Sequence, residues 1–303
     1  MRVPLPFDLE RVVRSHGWYD LAPWRWDPAR RTLERPLALS SGRAVWVRVS
    51  ARGARSLSVR VDAGERLDRA WSKEARAQVR TCLSLDEDLE PFRRRVEELS
   101  GRGEARSLRA ALEQGAGRLL RSPTVFEDAV KTLCTTNCSW ALTQTMVARL
   151  VEELGLPAPG SGRTFPSARE MASRPEGFYR SRIRAGYRAP FLRELACRAA
   201  SRQPDLEAWR ESSLATPELE EQIRGLPGFG PYASQHLLRL LGRHPGLALD
   251  SWSRKKLARV RGRRRPPSDR TLERWFAPWK EFAGLAMWLE VTADWHGDDP
   301  TWP

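Results

Sequence analysis

The sequence is poor in cysteine and has no long apolar run. Its four cysteines are Cys82, Cys134, Cys138 and Cys197. They are too few and too scattered for a disulfide framework, which favours a reducing cytoplasm as the location. No apolar run approaches the roughly 20 residues that a membrane-spanning helix requires. Apolar and charged positions alternate from Met1 to Gly17, so we expect neither a signal peptide nor a membrane anchor.

Lysine is also scarce, although the chain is strongly basic. The 52 basic residues outnumber the 38 acidic ones and give a formal net charge of +14. Codon usage can explain a preference for arginine over lysine, but it does not explain the net excess of positive charge. That excess predicts a polyanionic partner, of which nucleic acid is the commonest. A hydrophobic content of 41% and a length of 303 residues favour a globular chain with two or three domains.

The first third of the sequence has the two-residue alternation of β-strands. It predicts strands over Thr32 to Leu39, Ala44 to Val49 and Leu57 to Val61. From about Ser72 onward the apolar spacing becomes helical. We therefore predict an α+β fold with a β-rich N-terminal domain over residues 1–90, followed by two all-α lobes.

The two helical lobes are divided as follows. One combines residues 91–122 with 243–303, and the other spans residues 123–242. Within the first lobe, the glycine-punctuated stretch from Gly101 to Gly117 predicts a loose connection, and Arg261 to Pro267 predicts a basic loop.

The segment from Thr216 to Gly242 has the signals of two helices joined by a tight turn. A hydroxyl, a proline and an acid begin the first helix at Thr216, and Pro231 begins the second. Between them, Gly228 and Gly230 flank a single apolar residue. Such a turn leaves backbone N–H groups facing outward beside a helix N-terminus, which predicts an anion site suited to a DNA phosphate.

Asp250 follows this hairpin after the apolar Leu247-Ala248-Leu249. By itself, an aspartate in front of a helix over Ser253 to Val260 is a favoured N-cap. A Leu-Pro-Gly-x-Gly hairpin with an aspartate at this distance resembles the helix-hairpin-helix DNA glycosylases. The resemblance implies that the lobe over residues 123–242 ends in the helix-hairpin-helix motif. It also implies that Asp250 is the catalytic residue and can cap its helix at the same time.

Further segments extend the resemblance over most of the chain. Cys134 to Cys138 is similar to a segment of the 8-oxoguanine branch that carries a DNA-probing asparagine, and Gly186-Tyr187-Arg188 is similar to its stack-filling element. A tyrosine suits that role, because stacking of a ring on a base contributes about 1–3 kcal/mol. The resemblance implies DNA contacts for Gly228, Phe229, Gly230, Tyr232, Asn137, Tyr187, Arg188 and Arg254. It implies a base pocket in the first lobe that is lined by Trp252, Phe282, Trp288 and Val291.

Some positions depart from the family pattern. Bifunctional members carry a Schiff-base lysine where this chain has Tyr232, so we expect no lyase activity. By alignment on Trp24-Arg25-Trp26, the glycine whose carbonyl recognises 8-oxoguanine falls on Leu21, and an arginine for the opposite cytosine falls on Leu142. These losses favour alkylated purines over oxidised purines, because the alkylpurine branch holds cationic bases against aromatic rings. The candidate rings are Trp252, Phe282, Trp288 and Trp295.

The sequence therefore predicts a monofunctional DNA N-glycosylase of base excision repair, acting as a monomer on double-stranded DNA that contains a damaged base. Asp250 would stabilise the oxocarbenium-like sugar and activate water. We expect no metal site and no required cofactor, although the resemblance implies that carbonyls around Leu226 and Phe229 can hold a monovalent cation. The alternative is a non-catalytic protein that binds DNA structures through the same hairpin.

Overall fold

The computed structural model describes residues 1–296. Its strands are β1 Arg25–Asp27, β2 Thr32–Ala38, β3 Ala44–Ala51, β4 Leu57–Asp62, β5 Pro157–Ala158 and β6 Gly162–Arg163. Its α-helices are α1 Leu9–Val13, α2 Arg69–Cys82, α3 Glu90–Glu98, α4 Gly103–Glu113, α5 Val125–Thr135, α6 Trp140–Leu154, α7 Ala168–Ala172, α8 Glu176–Ser181, α9 Ala189–Ala200, α10 Thr216–Arg224, α11 Pro231–Leu240, α12 Ser251–Val260, α13 Asp269–Phe276 and α14 Ala283–Val291. Short 3₁₀ turns lie at Gly17–Asp20, Gly186–Arg188, Leu206–Glu211, Ala277–Phe282 and Ala293–His296.

The N-terminal strands form an antiparallel meander in the order β1-β2-β3-β4. Leu33 of β2 lies opposite Val49 of β3, which in turn lies opposite Val59 of β4. These three side chains are buried, because residues at alternating strand positions face the same side of a sheet. The three predicted strands and the α+β class are confirmed. The short strand β1 was not predicted.

Helix α4 shows that the predicted loose connection from Gly101 to Gly117 is wrong. Ala105, Leu108 and Leu112 follow one another at helical spacing, and all three are buried. The glycines of this stretch lie at the ends of the helix or beyond them. Since none interrupts its interior, the apolar spacing decides the local structure. The predicted basic loop from Arg261 to Pro267 is confirmed.

Buried apolar side chains of the described residues form two separate cores. The first joins the sheet to α5, α6, α9, α10 and α11, and the second joins α3, α4, α12, α13 and α14. Along the chain the first core ends at Leu241 and the second resumes at Leu247, three residues before Asp250. The division of the chain into three domains stays a prediction, and residues 297–303 of the first lobe lie outside the described part.

A buried ion cluster ties the sheet to helix α5. The two terminal nitrogens of Arg35 on β2 donate to the carboxylate of Glu127 on α5, at 3.2 and 2.9 Å. Lys131 donates to the same carboxylate at 2.7 Å. None of the three side chains is more than 3% exposed. Burial opposes ionisation of Glu127, but the charges of Arg35 and Lys131 outweigh it and lower the pKa of this carboxyl.

Helices α10 and α11 are joined by a tight turn, which we call the glycine turn (residues 225–230). Gly228 has a φ of +77°, and a Cβ there would lie 2.7 Å from a methyl group of Leu133. Any side chain at Gly228 would therefore strain the turn. Gly230 is exposed and has open space around it. Among residues 1–296, the helices are all too short or too polar to cross a membrane.

Candidate active site and groove

Asp250 is the N-cap of helix α12. Its Oδ1 accepts a hydrogen bond from the backbone N–H of Ser253 at 2.7 Å, and the backbone N–H of Asp250 donates to Ser253 Oγ at 2.9 Å. This reciprocal capping box fixes the direction of the carboxylate. Within the described part of the chain, Oδ2 of Asp250 accepts no hydrogen bond. The half-buried carboxylate thus keeps one oxygen available for chemistry.

Asp250 lies at the edge of an aromatic cavity of about 290 Å³. The aromatic residues that line this cavity are His16, Trp18, Trp140, Tyr232, His236, Trp252, Trp288 and Trp295. Trp252, Trp288 and Trp295 pack within 5.5 to 6.1 Å of one another, measured between ring centroids. Flat rings on several sides suit a planar aromatic ligand.

Two of the predicted pocket residues lie elsewhere. Phe282 packs against Phe92 in the second core, with ring centroids 5.4 Å apart. Val291 is fully buried in the same core. Both follow the apolar pattern of the last helices, and this pattern specifies burial without distinguishing a core face from a cavity wall. Phe282 and Val291 therefore do not line this cavity, whereas Trp252, Trp288 and Trp295 do.

A segment of the N-terminal region also lines the cavity, and the sequence did not predict this. His16, Gly17 and Trp18 line it, three to five residues before the buried Leu21 that the alignment had chosen. A Cβ at Gly17 would lie 2.4 Å from the Trp140 ring, so glycine is required for this ring to pack there. The indole N–H of Trp288 donates to the carbonyl of Ser15 at 2.7 Å and holds the segment against α14.

Both cavity histidines are buried without a charged acid partner in the described residues. Burial lowers the pKa of His16 to about 3, and the neighbouring Arg239 and Lys131 act in the same direction. Burial also lowers the pKa of His236 well below its ordinary value. Both imidazoles are therefore neutral at physiological pH.

These pKa shifts predict that acid destabilises the fold. A histidine with a depressed pKa in the folded state contributes its full stability above about pH 6.5, and this contribution is lost as the pH falls toward 3. We expect His16→Phe to reduce the slope of unfolding free energy against pH by up to about 1.4 kcal/mol per pH unit in this window. Urea titrations of both proteins at several pH values measure the slope. Parallel profiles would contradict the shift.

A groove of about 800 Å³ also borders Asp250. Its lining includes these predicted residues: Asn137, Tyr187, Gly228, Gly230, Tyr232, Asp250 and Arg254. The cavity and the groove share Thr135, Cys138, Tyr232 and Asp250. The carboxylate therefore stands where the two spaces meet.

Asn137 and Tyr187 line the groove together with Gly228 and Gly230 of the glycine turn. Asn137 has a φ of +47° and Gly186 has a φ of +57°, left-handed conformations that Asn and Gly tolerate best. The phenol of Tyr187 donates to the carbonyl of Thr136 at 3.1 Å and is about half exposed. An exposed ring on a braced turn is free to stack against another planar group.

Arg188 and Phe229, which were predicted to contact DNA, do not line the groove. Arg188 is 3% exposed, and its guanidinium donates to the carbonyl and hydroxyl oxygens of Thr136 and packs on the Tyr187 ring. It supports the turn that carries Asn137. Phe229 is buried in the first core. In the glycine turn, the side chain of Phe229 anchors the backbone and leaves the glycines exposed.

Arg254 lies in the groove, but its charge is already paired. Its guanidinium donates twice to the carboxylate of Asp269, at 2.8 and 2.9 Å. Side-chain exposure of the pair is 30% and 56%, so water screens much of the attraction. Arg254 can exchange this partner for a phosphate at small cost, since exposed ion pairs contribute little to stability.

Tyr232 occupies the first turn of helix α11, at the position where the family pattern described above would place a lysine. Burial raises the pKa of its phenol to about 12, and the Asp250 charge acts in the same direction. Among the described residues, no lysine lines the cavity or the groove. Lys256 pairs with Asp294, and the N-terminal amine donates to the carbonyl of Leu57 at 2.8 Å. Neither amine is placed for attack beside Asp250.

Comparisons with known proteins were made by sequence and by fold. No protein-family model matches the sequence, and no curated protein matches it. Among solved structures, the 3-methyladenine DNA glycosylase from Archaeoglobus fulgidus is 17% identical, with a TM-score of 0.74 and coverage of 99% of each chain. The chain has the fold of a DNA glycosylase. The predicted likeness in fold is confirmed.

A second glycosylase has the same fold. The 8-oxoguanine glycosylase/lyase from Clostridium acetobutylicum in its apo-form is 17% identical, with a TM-score of 0.70, and the alignment covers 94% of this chain and 93% of that one. The same enzyme in complex with double-stranded DNA containing cytosine opposite 8-oxoguanine is 17% identical, with a TM-score of 0.68 and coverage of 95% and 92%. The glycosylase fold thus extends over almost the whole chain, including the N-terminal sheet.

Proposed function

We propose that the protein is a base-excision DNA N-glycosylase that hydrolyses the bond between a flipped base and its sugar. The observation that carries this proposal is the position of Asp250, which lines both an aromatic cavity and an open groove. An enzyme that acts on a base in a duplex needs a pocket for that base beside a surface for the backbone. A protein that only binds DNA structures needs no carboxylate at such a junction.

In this proposal the base enters the aromatic cavity and its sugar stops beside Asp250. The carboxylate stabilises the positive charge that develops on the sugar as the bond breaks. The free Oδ2 of Asp250 orients and activates the water that attacks the sugar. Because Oδ1 is held by Ser253, the carboxylate needs no reorganisation during the reaction.

Double-stranded DNA with a damaged base is the proposed partner. We assign the phosphate contact to the glycine turn and the first turn of α11 as a helix-hairpin-helix motif. Helix α11 begins at Pro231 without a side-chain cap, so its first N–H groups have no partner within the helix. Tyr187 and Asn137 fill the space that the flipped base leaves. The monomeric state, the cytoplasmic location and a monovalent cation at the carbonyls of Leu226 and Phe229 stay predictions.

Alkylated purines are the proposed preferred substrates, with oxidised purines second. Cationic bases are attracted to the faces of aromatic rings, and tryptophans line much of the cavity. Arg239 opposes this attraction, because its guanidinium lies 4.8 Å from the Trp288 ring. The opposite charge of Asp250 at the cavity edge offsets Arg239. A panel of lesion-bearing duplexes assayed for free base tests both the activity and the preference.

The phosphate contact predicts a specific effect of charge at Gly230. Since this position has open space around it, Gly230→Asp should fold normally and place a negative charge against the phosphate. We expect this variant to bind every duplex sequence more weakly, and to a similar extent. For the parent protein, the logarithm of the affinity should fall by about 0.9 for each tenfold rise in salt and each phosphate neutralised. Fluorescence anisotropy across a salt series measures both. Gly230→Ala is the matched control, and equal loss in both variants would contradict the charge argument.

Because position 232 holds a tyrosine instead of a lysine, we predict a purely hydrolytic reaction. Because a neutral phenol cannot form a Schiff base, the product should be an intact abasic site. Lesion-bearing strands treated with the protein should stay full length on a gel and break only after hot alkali. Borohydride should trap no protein–DNA adduct. Efficient nicking together with a trapped adduct would show that an amine such as Lys255 or the N-terminus takes part.

A further inference from the structure

One ring nitrogen of His16 is an unused hydrogen-bond acceptor. His16 lines the aromatic cavity and is 3% exposed. Its Nε2 lies 2.5 Å from the carbonyl oxygen of Leu120, and since a carbonyl only accepts, Nε2 carries the hydrogen. In the neutral ring the other nitrogen, Nδ1, then carries a lone pair. Nδ1 is buried and has no hydrogen-bond partner among residues 1–296.

Neighbouring groups hold the His16 ring in this state. Its centroid lies 4.8 Å from the Trp18 ring and 6.1 Å from the His236 ring, so the ring is fixed among other rings. Burial depresses the pKa of His16, and the charges of Arg239, Lys131 and Arg121 add to the effect. Since protonation of Nδ1 is disfavoured, this nitrogen stays an acceptor, and residues 1–296 leave it without a donor. Buried polar atoms in folded proteins are otherwise almost always paired.

We propose that Nδ1 of His16 accepts a hydrogen bond from an N–H group of the base in the cavity, so that the site selects bases that carry such a group. This inference rests on the proposed function, because it assigns the cavity to a flipped base. His16 is then a specificity-determining residue. It discriminates because a buried acceptor facing a base without a donor stays unpaired, which costs more than the paired acceptor contributes.

The chemistry of purines divides possible substrates into two classes. Hypoxanthine and 7-methylguanine carry a ring N–H, and 3-methyladenine carries an amino group. Unsubstituted purine and 1,N6-ethenoadenine carry no N–H donor once they are joined to the sugar. We expect His16 to favour the first class over the second, whichever base in that class is removed fastest.

The test measures binding, so that it does not depend on cleavage. In an Asp250→Asn background, affinities are compared for duplexes that contain hypoxanthine or unsubstituted purine, each opposite an abasic-site analogue so that base pairing does not contribute. We expect about 10- to 100-fold tighter binding of the hypoxanthine duplex, the effect of one buried hydrogen bond with an unpaired alternative. His16→Phe removes the acceptor, so its affinities for the two duplexes should differ by no more than about twofold.

Two amide variants separate base recognition from a structural role. The amide of His16→Asn reaches the position of Nδ1, so an acceptor is kept while the bond to Leu120 is lost. The longer His16→Gln reaches the position of Nε2, so the bond to Leu120 is kept while the acceptor is lost. We expect the Asn variant to retain the binding ratio and the Gln variant to lose it. His244→Asn, at a buried histidine that contacts Glu87 outside the cavity, is the control and should leave the ratio unchanged.

The outcomes are distinguishable from failure of the proposed function. Equal binding of the two duplexes, a ratio that survives His16→Phe, or a ratio kept by Gln and lost by Asn would each overturn the inference. Suppose that the binding ratios of all variants are as expected but the protein releases no base from any lesion. This result would support recognition by His16 and refute the proposed hydrolysis. Base release at equal rates from duplexes of both classes would support the proposed hydrolysis and refute recognition by His16.

Discussion

Asp250→Asn should lower the rate of base release by roughly 10²- to 10⁴-fold while leaving DNA binding intact. The substitution keeps the shape of the side chain and its capping of α12, since Asn is as good an N-cap as Asp. It removes the negative charge that stabilises the sugar cation and the oxygen that activates water. Single-turnover release of free base from a confirmed substrate duplex measures the rate.

Asp68→Asn is a matched control for this experiment. Asp68 caps helix α2 by accepting a hydrogen bond from the backbone N–H of Ala70, and it does not line the cavity or the groove. The same chemical change at a cap remote from the site should leave cleavage unchanged. Parental activity in Asp250→Asn would remove the catalytic assignment. DNA binding without base release by the parent protein would favour the non-catalytic alternative.

Glu127→Gln should destabilise the fold by about 3–5 kcal/mol. The glutamine keeps the volume of the side chain, but it leaves the buried cations Arg35 and Lys131 without their shared counter-charge. Because these cations have almost no access to water, solvent cannot replace the carboxylate. Equilibrium urea unfolding followed by tryptophan fluorescence measures the loss.

An exposed ion pair provides the comparison for Glu127. Glu194 and Arg198 form an i,i+4 pair on helix α9, with side chains 49% and 42% exposed. Glu194→Gln should change the unfolding free energy by less than about 1 kcal/mol, the usual range for exposed pairs. Losses of similar size in the two variants would mean that the buried cluster is solvated or relaxes after substitution.

Local sequence signals account for the elements that present the site. The glycine turn follows from Gly228, where a side chain would strain the backbone, and from Pro231, which begins the next helix. The N-cap role of Asp250 follows from its position before α12. These features depend on residues a few positions apart, and a single sequence therefore determines them. The resemblance to glycosylases then predicted the fold that the comparisons confirm.

Only the tertiary structure decided which side chains surround the cavity. His16 and Trp18 lie near the N-terminus and meet His236 of helix α11, far along the chain. No periodic pattern encodes such a contact, because it depends on how segments that are distant along the chain pack together in the first core. For the same reason Phe282 packs against the second core and Arg188 contacts Thr136, next to Asn137. The sequence determined where helices, strands and the carboxylate occur, whereas long-range packing decided which faces line the cavity and which buried atoms stay unpaired.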